Sequence, residues 1–289
     1  MRRTAGSVAV LCLLALLTAG PPAGAASAGA SRGRIAFEWD VDGNVDIYTM
    51  NPDGGDVTRL TTDPLDDTDP AWSPDGSQLA FSRGNPVAGT SDLFVMNADG
   101  SGVRQLTFDA AQDYSPNWSP DGTMIAFASL RTGNGDIYRI DADGSDLVRL
   151  TNVAKPETDP AYSPDGTRIA FSRYAVFYMM NADGSGPHLV TPTTDYYEYE
   201  FDWSPDGSKI AFYWRVGNFI WESIAVSQPD GRGLEHLTGK YGPSHSPTWS
   251  PDGASIAFSV HGDVYTMNQD GSKIREIAED GAADPDWGP

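Results

Sequence analysis

One position in a recurring sequence unit concentrates residues that could do chemistry. Three residues before each of six aromatic or tryptophan anchors stand Asp69, Ser115, Asp159, Glu200, Ser246 and Asp284. If the units close into a ring, the four carboxylates share one channel mouth, where like charges repel unless they are screened or bound to a cation. Calcium takes oxygen ligands of this kind, so Asp69, Asp159, Glu200 and Asp284 form a candidate calcium set. The competing reading is one-by-one pairing with Arg83, Arg131, Arg173 and Arg215, which end the strand-like segments on the same side. No other cofactor is expected.

A second concentration lies at Asp195 to Phe201, the run DYYEYEF, which departs furthest from the repeat. Aromatic rings there can stack on a peptide or a sugar, or they can pack over an irregular junction. Trp214, Phe219 and Trp221 follow in the same unit, and Tyr241 and His245 come from the next link. The candidate partner-binding set is therefore Asp195, Tyr196, Tyr197, Glu198, Tyr199, Trp214, Tyr241 and His245.

Nucleophilic and metallohydrolase signatures are missing. The sequence has no Gly-x-Ser-x-Gly elbow and no His-Glu-x-x-His, and its single cysteine, Cys12, lies in an N-terminal apolar run. His245, with Glu200 or Asp284 nearby, is the one conceivable general base. No catalytic residue is expected.

The elements that must position these groups are strands. The anchors Trp72, Trp118, Tyr162, Trp203, Trp249 and Trp287 are spaced 46, 44, 41, 46 and 38 residues apart, each but the last followed by Ser-Pro-Asp-Gly. A period near 40 filled with short strands marks a β-propeller. Within one unit, Ala71-Trp72 ends a strand and Ser73-Pro74-Asp75-Gly76 turns the chain. Gln78 to Ser82 and Asp92 to Met96 are the next strands. A second turn at Asp99-Gly100 leads to a fourth, Val103 to Thr107. The first unit lacks its first strand, and Asp284 to Pro289 supplies the missing type of segment. The expectation is an all-β, six-bladed propeller over residues 31–289, its closing blade built from both ends of the sequence.

The strings Pro70-Ala71-Trp72-Ser73-Pro74-Asp75-Gly76, Asp136-Ile137-Tyr138 and Asn97-Ala98-Asp99-Gly100-Ser101-Gly102, with Arg59-Leu60-Thr61 and its counterparts, resemble the WD-repeat-like blades of the TolB propeller family. The resemblance runs from Ile35 to Pro289 and is specific for the propeller superfamily rather than for one activity. It implies the propeller fold and brings the Tol–Pal envelope system into view. The α/β domain that precedes the propeller in TolB is not expected here.

Bulk composition narrows the partners. With 40 acidic against 19 basic residues the net charge is −21, which repels nucleic acid. Arg2, Arg3, the apolar run Val8 to Leu17 and the small residues after it read as a cleaved signal peptide over residues 1–30. The run is short of the roughly 20 residues that span a bilayer. A secreted or periplasmic monomer follows. The two glycine turns of each unit fall on one face and repeat, whereas the other connections fall on the opposite face and vary. Binding usually sits on variable loops. The sequence reading is a non-catalytic scaffold that binds a protein or peptide through that face. The alternative is a carbohydrate-active propeller enzyme or carbohydrate-binding protein using the acidic axial funnel.

Overall fold

The computed structural model describes residues 33–41, 43–85, 88–191, 196–216, 222–239 and 242–289. The expected signal peptide lies outside them. The described chain forms six four-stranded antiparallel sheets, and among the described residues no helix is long and apolar enough to cross a membrane. Blade two is typical: Asp66–Trp72, Gln78–Asn85, Thr90–Asn97 and Arg104–Gln105 lie side by side in chain order. Blades three to six begin at Asp113, Glu157, Tyr196 and Ser244.

Blade one closes the ring as expected. Its innermost strand is the C-terminal Ala282–Gly288, paired with Arg34–Val41 in the register Ile35 to Trp287 and Ala36 to Asp286. This pairing leaves neither strand with a free edge at the junction.

Each recurring residue type has a local job. The Ile-Ala-Phe triplet of every second strand but one, where Leu79 replaces Ile, is fully buried, with Phe37, Phe81, Phe127, Phe171, Phe212 and Phe258 at 0% exposure. Burying each such ring is worth about 1.5–3 kcal/mol. In the Ser-Pro-Asp-Gly turn, Asp75 accepts hydrogen bonds from the Ser73 and Ser77 hydroxyls, both at 2.7 Å, and the Ser73 hydroxyl oxygen accepts from the Gln78 amide at 2.9 Å. Gly76 completes the turn at φ 68°, a conformation that disfavours other residues. The threonine that follows the fourth strand in blades one, two, three and five accepts from the third strand, as Thr151 does from the Ile137 amide at 2.9 Å.

A bulge sits in the innermost strand of every blade. In blade two the pairing jumps from Thr68–Ser82 to Ala71–Ala80, so two residues oppose one. The first bulged residue is Asp69, and its counterparts are Ser115, Asp159, Glu200, Ser246 and Asp284. All six hold a left-handed backbone, with φ between 44° and 57°. None is glycine, and such a conformation costs on the order of 1–3 kcal/mol at each position.

Candidate binding funnel

The six bulged residues, the residue after each and the residue before every anchor but Tyr162 surround an axial cavity of about 180 Å³. Six carboxylates line it (Asp69, Asp159, Glu200, Asp202, Asp284 and Asp286), and no basic side chain does. The anchors themselves, with the turn prolines, line the opposite mouth.

The carboxylates act first as clasps between blades. Asp69 Oδ2 accepts from the Ser115 amide at 3.3 Å, Asp159 Oδ1 from the Ser115 hydroxyl at 3.3 Å, and Glu200 Oε2 from the Ser246 amide at 2.6 Å. The Ser246 hydroxyl donates to Asp284. Glu38, on the second strand of blade one, accepts from the Asp69 amide at 2.6 Å. One layer further along the axis, Asp286 and Asp202 accept from the amides of Trp72 and Trp249, both at 2.6 Å.

The arginines expected to neutralise this ring do not reach it. Arg83, Arg131 and Arg173 instead bind Asp67, Asp113 and Glu157, at 2.6, 2.7 and 2.6 Å, all two residues upstream of the bulge and at 0% side-chain exposure. The bulge is the reason: its extra residue shifts the register, so that Arg83 faces Asp67 directly. Arg215 turns to Glu222. The channel acids are left with each other. Burial, reinforced by Asp284 and Asp159, pushes the Glu200 carboxyl up to about 8. Burial with Asp284 raises Asp69 to about 6, and burial with Asp286 raises Asp202 to about 7. Asp159 and Glu38 are raised in the same way, Glu38 strongly.

The calcium set gains no support from this geometry. Its side chains point around the ring to neighbouring N–H and O–H groups. Among the described residues no three His, Cys, Asp or Glu side chains are grouped as metal ligands.

The expected partner-binding set divides. Asp195 and Tyr241, with Phe219 and Trp221, lie outside the described residues, as does the side chain of Tyr196. Glu198 is not a surface group: it is 2% exposed, accepts from the Phe177 amide at 3.0 Å and takes the Thr191 hydroxyl proton bond. Trp214 is not one either. It alternates along its strand with Tyr213 and so shares the Phe212 side, packed in the core between blades four and five and against His236 at 4.2 Å. Tyr197, Tyr199 and His245 do come together, joined by Tyr213, which the sequence reading did not select.

These four rings form a stacked ladder. Tyr197 and Tyr199 lie 6.5 Å apart and 9° from parallel, Tyr199 and Tyr213 6.0 Å and 26°, and Tyr213 and His245 4.6 Å and 19°. Arg215 lies over Tyr197 at 5.8 Å, and Glu222 closes on Arg215 at 3.4 Å. Tyr197 is 40% exposed, whereas Tyr213 is buried within the stack. Tyr199 adjoins Glu200 in sequence, and burial, reinforced by Asp159 and to a lesser degree by Glu200, holds its phenol above its ordinary range. Burial lowers the His245 imidazole below its usual value. The ladder thus stands beside the acidic layer on the face whose loops vary.

Comparison with known proteins fixes the lineage. The TolB beta propeller domain matches residues 23–115, 86–174 and 111–289. The chain belongs to the TolB beta propeller family. Over 86 residues it is 37% identical to "Tol-Pal system protein TolB 1" of Novosphingobium aromaticivorans, a stretch covering 27% of this chain and 18% of that protein. The matched stretch is thus less than a fifth of that relative's length. The crystal structure of TolB from Acinetobacter baumannii superposes with a TM-score of 0.77 at 21% identity, covering 90% of this chain and 68% of that one. An oligogalacturonate lyase in complex with manganese shares the fold at a TM-score of 0.60 and 16% identity, over 86% of this chain and 75% of the lyase.

Proposed function

We propose that this TolB-family propeller is an exported, non-catalytic scaffold that binds a protein or peptide partner at the funnel mouth on its variable face. The observation that carries the reading is the Tyr197–Tyr199–Tyr213–His245 ladder beside the acid-lined cavity. Rigid aromatic side chains supply contact area at small entropic cost, and they are enriched in protein interfaces. The opposite face repeats one turn chemistry in blades two to six, with its aspartates engaged inside their own turns. Export is proposed from the N-terminal basic and apolar run, and the monomeric state from the closed ring. The kinship with a Tol-Pal system protein supports partner binding in the cell envelope or outside it.

The test is cross-linked capture from the producing organism's envelope and medium. Tyr197→Ala/Tyr199→Ala should lose the partner that wild type captures, whereas Asp143→Asn, in a turn of the repeated face, should keep it. Retention of every partner by the double variant would put the binding surface elsewhere. The carbohydrate-active alternative has the shared lyase fold in its favour. Incubation with oligogalacturonate and manganese should yield no unsaturated product, and steady product release would overturn the non-catalytic reading.

A further inference from the structure

We propose that the funnel mouth recognises the guanidinium group of an arginine carried by the partner polypeptide, seated against Tyr199 and held by the carboxylates of Glu200 and Asp284. This rests on the reading of that mouth as a protein-binding surface and names the chemistry it selects. Charge complementarity is the first argument: six carboxylates line the cavity and no basic side chain answers them. The aromatic ladder is the second. Stacked tyrosines present π faces that attract cations, and a planar guanidinium lies flat on such a face while its N–H fork reaches carboxylate oxygens.

The molecule itself supplies the precedent. Arg83 lies over Phe81 and Phe94 at 5.4 and 4.9 Å while it binds Asp67. Arg131 sits over Phe127 and Tyr138 at 5.5 and 4.8 Å on Asp113, and Arg173 over Phe171 and Tyr178 at 5.4 and 4.4 Å on Glu157. Blade five has Trp214 where blades two and four have Arg83 and Arg173. Its own cation, Arg215, is displaced outward over Tyr197. Tyr199 has carboxylates at its foot, and the arginine of its own chain that acts on it, Arg215, sits over Tyr197, one rung further out. A partner's arginine completes there the same combination of ring, cation and carboxylate, on the opposite side of the sheet from Arg83 and Arg173 and with the bulge carboxylate in place of the buried one.

The experiment titrates wild-type protein with a blocked pentapeptide, arginine between two pairs of glycines, followed by tyrosine fluorescence or chemical shifts. Parallel peptides carry lysine, citrulline or glutamate in place of arginine. The arginine peptide should bind in the millimolar range or tighter, the lysine peptide at least threefold more weakly, and the citrulline and glutamate peptides not at all. Tyr199→Ala, and Glu200→Gln combined with Asp284→Asn, should each weaken binding at least tenfold. Tyr199→Phe, which keeps the ring, and His188→Ala, on an outermost strand, should leave it unchanged. Melting curves establish that each variant is folded. Equal binding of citrulline and arginine, unchanged affinity in the carboxylate variants, or no binding of the arginine peptide would overturn the proposal. So would displacement by millimolar calcium but not by the lysine peptide, which would mark a metal site. If the Tyr197→Ala/Tyr199→Ala variant loses its natural partner while no arginine peptide binds wild type, protein binding stands and guanidinium recognition falls.

Discussion

Blades two to four and blade five use the same ingredients to opposite ends. In the first group an arginine is closed between aromatic rings and a fully buried carboxylate, and the assembly ties the innermost strand to the second. In blade five tryptophan takes the arginine's place, Glu198 turns to a backbone amide and a threonine, and the aromatic rings stack outward instead. A buried ion pair is costly to break because the surviving charge is stranded. A ladder whose outer rung, Tyr197, is exposed is cheap to alter at that end because few groups depend on it. The difference separates what holds this propeller together from what it offers to other molecules.

The comparison breaks first at the arginines. Arg173→Met leaves Glu157 buried without its counter-charge and should cost about 3 kcal/mol in urea unfolding. Arg215→Met, in blade five, loses only a partly exposed pair and should cost under about 1 kcal/mol. Equal losses would erase the distinction. A smaller effect sharpens it at the channel. Glu200 has its carboxyl raised to about 8, so its neutral form is the one the fold favours until an opposite charge is seated against it, which restores the carboxylate. The stability tied to that proton is fully present below the ordinary glutamate range and is lost as pH rises through about 8. Wild type should therefore melt at a lower temperature at pH 8.5 than at pH 5.5. Glu200→Gln, which cannot ionise and still accepts from the Ser246 amide, should flatten that slope. An unchanged slope would remove Glu200 from the account.

The fold was largely legible in the sequence because its signals are local and repeated. Turn chemistry, the buried Ile-Ala-Phe triplets and the unpaired first unit together dictate six blades and the closure through Trp287. The two faces were legible for the same reason, since strand order follows from turn order. The site was legible only in part. The carboxylates were correctly placed at the axis, but a one-residue bulge shifts the register, and the arginines meet Asp67, Asp113 and Glu157 instead. Nothing in a single blade announces that bulge, although the proline after Asp69, Ser115, Asp159, Ser246 and Asp284 is its nearest sequence trace. Sequence neighbourhood places Trp214 and Glu198 on the surface, whereas strand alternation with Tyr213 and the demand of the Phe177 amide draw them inward. The same alternation, read from Phe212, would have selected Tyr213 in place of Trp214.

The central claim, that blade five's ladder serves binding rather than cohesion, meets its most direct test in one double measurement on Tyr197→Ala/Tyr199→Ala. Thermal melting and partner capture are recorded on the same preparation. The account predicts a melting temperature within a few degrees of wild type and a partner lost. A melting temperature that falls as far as that of Arg173→Met, or a partner still captured, would contradict it.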